Sequence, residues 1–212
     1  SDGEMSKISY STYIKDRLHG FSGESERKTP ADLDAFPSYK DKIAKSGGTP
    51  TYTRPCCTNE LSIKDSEAVK KDIDNFTAAL QHSNVKSGFI NAASPGVIAL
   101  FLPNKFYETQ DKYLEALALL MAKEYKSITD AGLLVQLDCP DLALARHMIY
   151  NHLSDKEFLL QAERQIEYLN FALKDIKPEQ IRMHICWGNY EGPHTHDIGL
   201  DKILPIIYKA NV

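Results

Sequence analysis

Short apolar runs alternate with longer stretches whose apolar residues recur every three or four positions, and that rhythm sets the expected architecture. Val69, Ile73, Phe76 and Leu80 share one helical face, after Asp65 and Ser66, which can cap its start. Tyr113, Leu117, Leu120, Met121 and Ile128 mark a second helix. Phe158, Ala162, Ile166, Leu169 and Leu173 mark a third, opened by the capping-box pattern Ser154-x-x-Glu157. Ile203, Leu204 and Ile207 mark a fourth. Between and before them lie four strand candidates: Thr51 to Arg54, Ser87 to Ala92, Leu133 to Asp138, and Arg182 to Trp187. Strand and helix in regular alternation imply an α/β fold with parallel strands joined by crossover helices.

Each candidate strand runs into polar, turn-forming sequence: Pro55-Cys56-Cys57, Ala93-Ser94-Pro95-Gly96, Asp138-Cys139-Pro140-Asp141, and Gly188-Asn189. In a (β/α) barrel, that end of the strands carries the chemistry. Residues 5–48 break the rhythm with Ser-Gly and Gly-Gly steps, Pro30 and Pro37, and read as a long loop or excursion over the barrel mouth. The whole chain, 1–212, reads as one domain. Four strands, with a fifth ending at Ser1-Asp2-Gly3-Glu4, fall short of the eight a closed barrel needs, so the barrel is expected to be partly covered by this chain.

Composition narrows the function classes. Of 212 residues, 42% are hydrophobic and 25% charged, enough for one sizeable core. A net charge of −4 with a pI near 6.0 argues against a nucleic-acid binder, which needs a basic face. No apolar run approaches the ~20 residues that span a bilayer, and no signal pattern opens the chain. The four cysteines, at 56, 57, 139 and 186, show no disulfide framework, and reduced thiols in the cytoplasm are expected.

The densest chemistry lies in His184-Ile185-Cys186, at the end of the run from Ile181 to Trp187. Side chains two apart on a strand project to the same side, so imidazole and thiol would stand together. Both are donors zinc accepts. The alternative is a half-buried strand with two incidental polar side chains. His194-Thr195-His196-Asp197 offers more donors, although a local set of His184, Cys186, His194 and His196 matches no common zinc spacing. There Asp197 is expected to cap the following helix, with His194 and His196 as metal ligands or, more readily, polar substrate or phosphate contacts. Asp138 either caps the segment after it or offers its carboxylate to a substrate ammonium group; Glu4 carries the same two readings. Cys56, Cys57 and Cys139 are expected to pack, with Cys139 kept as a remote candidate.

The run His184-Ile185-Cys186-Trp187-Gly188-Asn189-Tyr190-Glu191-Gly192-Pro193-His194-Thr195-His196-Asp197-Ile198 resembles the short, single-barrel relatives of cobalamin-independent methionine synthase. Ser1-Asp2-Gly3-Glu4 resembles the family's T-D-G-E strand end, Ala93-Ser94-Pro95-Gly96 its T-G-P turn, and Val135-Gln136-Leu137-Asp138 its Q-[IV]-D-E-P, with Cys139 in place of the usual Glu. The resemblance covers essentially the whole chain. It implies a (β/α)8 TIM barrel of the methionine synthase/uroporphyrinogen decarboxylase-like type that binds zinc and moves a methyl group from a folate or corrinoid donor to a thiol, homocysteine, giving methionine.

By the same resemblance His184 and Cys186 match two zinc ligands, Asp138 and Glu4 match carboxylates on the acceptor's amino group, and Phe101 falls near an aromatic lining the donor pocket. Ser94 joins them as a substrate contact, and His194, His196 and Asn189 as weaker candidates. The family's remaining zinc ligands and its proton-donating histidine align beyond Val212, and its opening strand before Ser1, so no catalytic residue is assigned here and the chain is expected to be an internal portion of a barrel. Two alternatives accompany this reading: a thiol alkyltransferase of the epoxyalkane–coenzyme M transferase type, and a non-catalytic barrel remnant. The expected partners are a small-molecule thiol and a methyl donor, with neither nucleic acid nor membrane. Open strand edges would favour homo-oligomers.

Overall fold

The computed structural model describes residues 7, 9–26, 31–45, 54–188 and 192–212. Helix α1 (Tyr10–Arg17) leads into β1 (Leu18–Ser22), followed by α2 (Ala31–Ala35) and α3 (Pro37–Lys45). Strand β2 (Cys56–Ile63) precedes α4 (Glu67–Gln81). The regular part then runs β3 (Phe89–Ala93), α5 (Pro95–Phe101), α6 (Gln110–Asp130), β4 (Leu134–Asp138), α7 (Ala145–Met148), α8 (Asp155–Leu173), β5 (Ile181–His184) and α9 (Leu200–Ile207). Strands β3, β4 and β5 form a parallel sheet in that order, while β1 and β2 form a separate antiparallel pair. No described helix is long and apolar enough to cross a membrane.

Local sequence accounts for the helix starts. The Ser154–Glu157 capping box is present in full at α8. At α4 the Ser66 side chain makes no capping bond; instead Asp65 Oδ1 accepts from the backbone N–H groups of Glu67 (2.9 Å) and Ala68 (3.1 Å). Ser94 caps α5 by accepting from Val97 N at 3.0 Å, with Pro95 in the first turn, where its missing N–H costs nothing.

The register of the parallel sheet separates two faces. Ile90, Val135 and Ile181 are side by side, as are Ala92, Leu137 and Met183, and this apolar face joins the helices in one core with Tyr125, Ile128, Phe158, Ile166 and Leu169. Each of the larger of these side chains contributes roughly 1.5–3 kcal/mol through burial. On the opposite face lie Asn91, Gln136 and Arg182 in one row, and Ala93, Asp138 and His184 in the next. That face is polar, although Gln136 and Asp138 are buried.

Two expectations need correction. The stretch 5–48, read as a long loop, holds α1, β1, α2 and α3 among its described residues. Helix α1 is only eight residues long, and its buried positions, Ser11, Tyr13, Ile14 and Arg17, mix polar with apolar, so tertiary packing rather than amphipathic periodicity stabilises it. Of the strand expected at Thr51 to Arg54, residues 51–53 lie outside the described residues and Arg54 is not in a strand. The nearest strand, β2, begins at Cys56 and pairs antiparallel with β1, so it is not another parallel strand of the main sheet. Cys56 and Cys57 are buried there and pack, as expected.

Helix α5 approaches the loop after β4 closely at Gly96. A Cβ at this position would press on Oδ2 of Asp141 and lie 2.7 Å from its Cγ. Asp141 is buried and already accepts from Ser94 Oγ at 2.8 Å, so it cannot swing away without losing that bond. Gly96→Ala is therefore expected to destabilise the protein by about 1–3 kcal/mol, read as a lowered urea midpoint with an unchanged m-value.

Candidate functional site at the strand ends

The three parallel strands end in one row, Ala93, Asp138 and His184, so whatever β3, β4 and β5 deliver is delivered side by side. Asp138 lies at the centre and is fully buried. Its carboxylate accepts from Asn91 Nδ2 (3.1 Å) and Gln136 Nε2 (3.0 Å), both on the same face of the sheet, and from the Tyr10 hydroxyl of α1. Buried polar groups are tolerated when satisfied in this way. The side chain therefore does not cap the following turn, whose N-cap is Cys139 without a side-chain bond.

Tyr10 connects this carboxylate to its surroundings. Burial raises its pKa well above the ordinary 10, and the neighbouring Asp138 and Cys186 raise it further. The phenol stays protonated and remains a donor to Asp138. The Tyr10 ring stacks on Phe101, at the end of α5, with centroids 5.8 Å apart and planes at 15°. Asp138, Cys186, Tyr10 and Phe101 thus form one neighbourhood at the C-terminal ends of the strands. His184 joins it as the register partner of Asp138, and its carbonyl accepts from Cys139 N at 2.9 Å. Lys7 donates to the Asn91 carbonyl and lies 3.6 Å from Glu124.

The other sequence candidates fall differently. Ser94 is occupied as helix cap and as donor to Asp141. Cys139 is 1% exposed, burial pushes its thiol pKa up, and its Sγ lies 3.7 Å from the Leu137 carbonyl, the environment of a packing residue. Glu4 and Asn189 lie outside the described residues. Asp197 does not cap α9, whose N-cap is Gly199; it accepts instead from His147 Nδ1 (2.9 Å) and His194 Nδ1 (2.8 Å). His196 hydrogen-bonds through Nδ1 to Asp32 Oδ1 at 2.9 Å, and Thr195 donates to the same oxygen from its backbone N (2.9 Å) and its hydroxyl. Burial opposes the charge on Asp32, but these bonds outweigh it and hold the carboxyl down at about 2.

Tyr10, Lys7, Asn91 and Gln136 were not among the sequence candidates. Tyr10 and Lys7 carry no sequence signal, since they come from a segment without periodicity. Asn91 and Gln136 do carry one: each is a polar residue at an alternate position in an otherwise apolar strand, which points away from the helix-covered face.

His184 and Cys186 provide two donor types that zinc takes, one imidazole and one thiol. A closed tetrahedral set needs two more. Among the described residues the group of His, Cys, Asp and Glu side chains that brings three donor atoms within 4.8 Å of one another is His147, His194 and Asp197, not one that includes His184 or Cys186. The strand expected from Arg182 to Trp187 ends at His184, so Cys186 lies two residues beyond β5 and strand alternation does not place its thiol beside the imidazole. The pair supplies two of the four donors by type.

No family model matches the chain. The methionine synthase of Sulfolobus acidocaldarius is 23% identical over 207 residues, covering 96% of this chain and 50% of that protein. A B12-independent methionine synthase from Shewanella sp. W3-18-1, solved in complex with selenomethionine, superposes with a TM-score of 0.54 at 20% identity, covering 84% of this chain and 42% of the other. The chain spans about half the length of these relatives. The chain is thus similar along nearly its whole length to part of a methionine synthase, and it shares the fold of part of a B12-independent one.

Proposed function

We propose that this chain carries the thiol-acceptor side of a zinc-dependent methyl transfer, in which homocysteine receives a methyl group from a folate or corrinoid and becomes methionine. In this reading β3, β4 and β5 are consecutive staves of a (β/α)8 barrel, and their polar face is its lumen. The observation that carries the reading is the convergence of Asp138, His184, Cys186 and Tyr10 at the C-terminal ends of three parallel strands, where barrel enzymes keep their chemistry.

His184 and Cys186 would hold zinc as two of its ligands. Zinc bound there would lower the pKa of a coordinated substrate thiol, supplying a thiolate near neutral pH. Asp138 would take the substrate ammonium. Its carboxylate is oriented by Asn91, Gln136 and Tyr10, and the lack of solvent around it strengthens its attraction for a cation. Phe101, stacked on Tyr10, would line the neighbouring donor pocket.

Homocysteine binding, measured by calorimetry with zinc present, tests this assignment. Asp138→Asn keeps the size of the side chain and removes its charge. It is expected to weaken homocysteine about 10- to 100-fold, the loss of a hydrogen bond to a charged group. A thiol without an amino group, such as mercaptoethanesulfonate, should bind the variant and the unaltered protein alike. Unchanged homocysteine affinity in Asp138→Asn would remove the carboxylate from the acceptor site. Equal affinity of the unaltered protein for both thiols would favour an alkyltransferase with a thiol cofactor as acceptor.

A further inference from the structure

The loops after β4 and β5 meet in a second constellation that the methyl-transfer reading does not use. His147 is supplied by α7 and is 1% exposed. His194 and Asp197 come from the segment before α9. The carboxylate of Asp197 lies between the two imidazoles, with Oδ1 on His147 Nδ1 at 2.9 Å and Oδ2 on His194 Nδ1 at 2.8 Å. The two rings meet edge to face, 6.0 Å apart at 79°. One donor atom from each residue lies within 4.8 Å of the others.

We propose that His147, His194 and Asp197 form a binding site for a divalent first-row transition metal, separate from the pair His184 and Cys186. Two imidazoles and one carboxylate suit zinc, cobalt, iron or nickel, and contain no thiolate. Three protein ligands are the number found where a metal keeps a position for water or a substrate. The surroundings favour binding because the residues beside His194 and Asp197 are held before a metal arrives. Trp187 Nε1 donates to the Ile198 carbonyl at 2.7 Å, and Thr195 and His196 are held by buried Asp32 of α2. The site therefore costs little ordering of the chain on metal uptake. Asp197 already touches both imidazoles, so a metal would replace two hydrogen bonds with coordinate bonds and leave the backbone in place.

Cobalt(II) is the probe, because a thiolate ligand gives an intense charge-transfer absorption and an N/O site does not. Titrations of the 212-residue chain would be followed by equilibrium dialysis and by absorption, beside zinc competition. Cys186→Ser should retain one cobalt per chain bound without any thiolate band. In that background, His194→Ala and Asp197→Asn should each lower cobalt affinity at least ten-fold, with circular dichroism unchanged. His147→Ala should do the same, but its burial makes it the less informative variant; the half-exposed His194 and the isosteric Asp197 change keep the test independent of folding. The proposal fails if Cys186→Ser abolishes all cobalt binding, or if neither His194→Ala nor Asp197→Asn weakens it.

Discussion

Arg17→Met is expected to lower stability by about 3–5 kcal/mol, the usual result of removing one partner from a buried ion pair. Arg17 is 7% exposed and Glu124 8%. Arg17 Nη1 lies 2.9 Å from Glu124 Oε1, an ion pair out of line for a hydrogen bond, while Nη2 donates to Asp72. Glu124 also accepts from the Tyr13 hydroxyl at 3.1 Å, and the guanidinium stands over the Tyr13 ring, 4.9 Å from its centroid. The cluster joins α1, α4 and α6. Losing the cation strands the Glu124 carboxylate in a place where water cannot replace the partner, and Lys7 at 3.6 Å compensates only in part. Urea unfolding monitored by circular dichroism would measure the loss. The double variant Arg17→Met with Glu124→Leu should recover part of it, because the Glu124 charge is removed while Asp72 still lacks its partner. If single and double variants are equally unstable, lost packing rather than the uncompensated charge is responsible. The consequence reaches the site, since α1 carries Tyr10, and this cluster joins the α1–α5 packing and the Ala93 N to Tyr13 hydroxyl bond (3.2 Å) in holding α1 against the sheet.

That dependence explains what the sequence discloses and what it conceals. Strands β3, β4 and β5 are legible because buried parallel strands read as apolar runs, and α4, α6, α8 and α9 because one apolar stripe repeats along each. The strand ends follow from the turns after them, which is how Asp138, His184 and Cys186 come to be singled out. Helix α1 is illegible for a physical reason: two of its four buried residues are Ser11 and Arg17, and Arg17 is buried by acids 55 and 107 positions away in the chain, Asp72 and Glu124. Strand β2 hides similarly, since Thr58, Asn59 and Glu60 are exposed and only Cys56, Cys57 and Leu61 are buried. The role of Asp197 is hidden by the same kind of distance. Its position before α9 suggests a cap, and nothing local reveals that His147, 50 residues earlier, takes one of its oxygens.

Asp141→Asn is expected to stabilise the protein above neutral pH by as much as about 4 kcal/mol. Asp141 is 2% exposed, beneath the first turn of α5, and burial pushes its carboxyl from the ordinary 3.8 up to about 7 against the opposing bond from Ser94. The folded protein therefore holds this proton over a range where the unfolded chain has lost it. Stability falls as pH rises from about 4 to about 7, by roughly 1.4 kcal/mol per pH unit, and then levels off because both states are ionised. Asparagine stays neutral throughout and keeps an oxygen to accept from Ser94 Oγ. Subtracting the wild-type stability profile from that of the variant cancels the other titrating groups. The difference should be near zero at pH 4, climb through pH 5 and 6, and reach a plateau beyond pH 7. A flat difference would mean that Asp141 ionises as readily in the folded protein as in the unfolded chain, with the backbone N–H groups at the start of α5 offsetting its burial. A climbing difference would show that the turn linking β4 to the helices beyond it, directly after Asp138, is held most firmly when Asp141 is protonated.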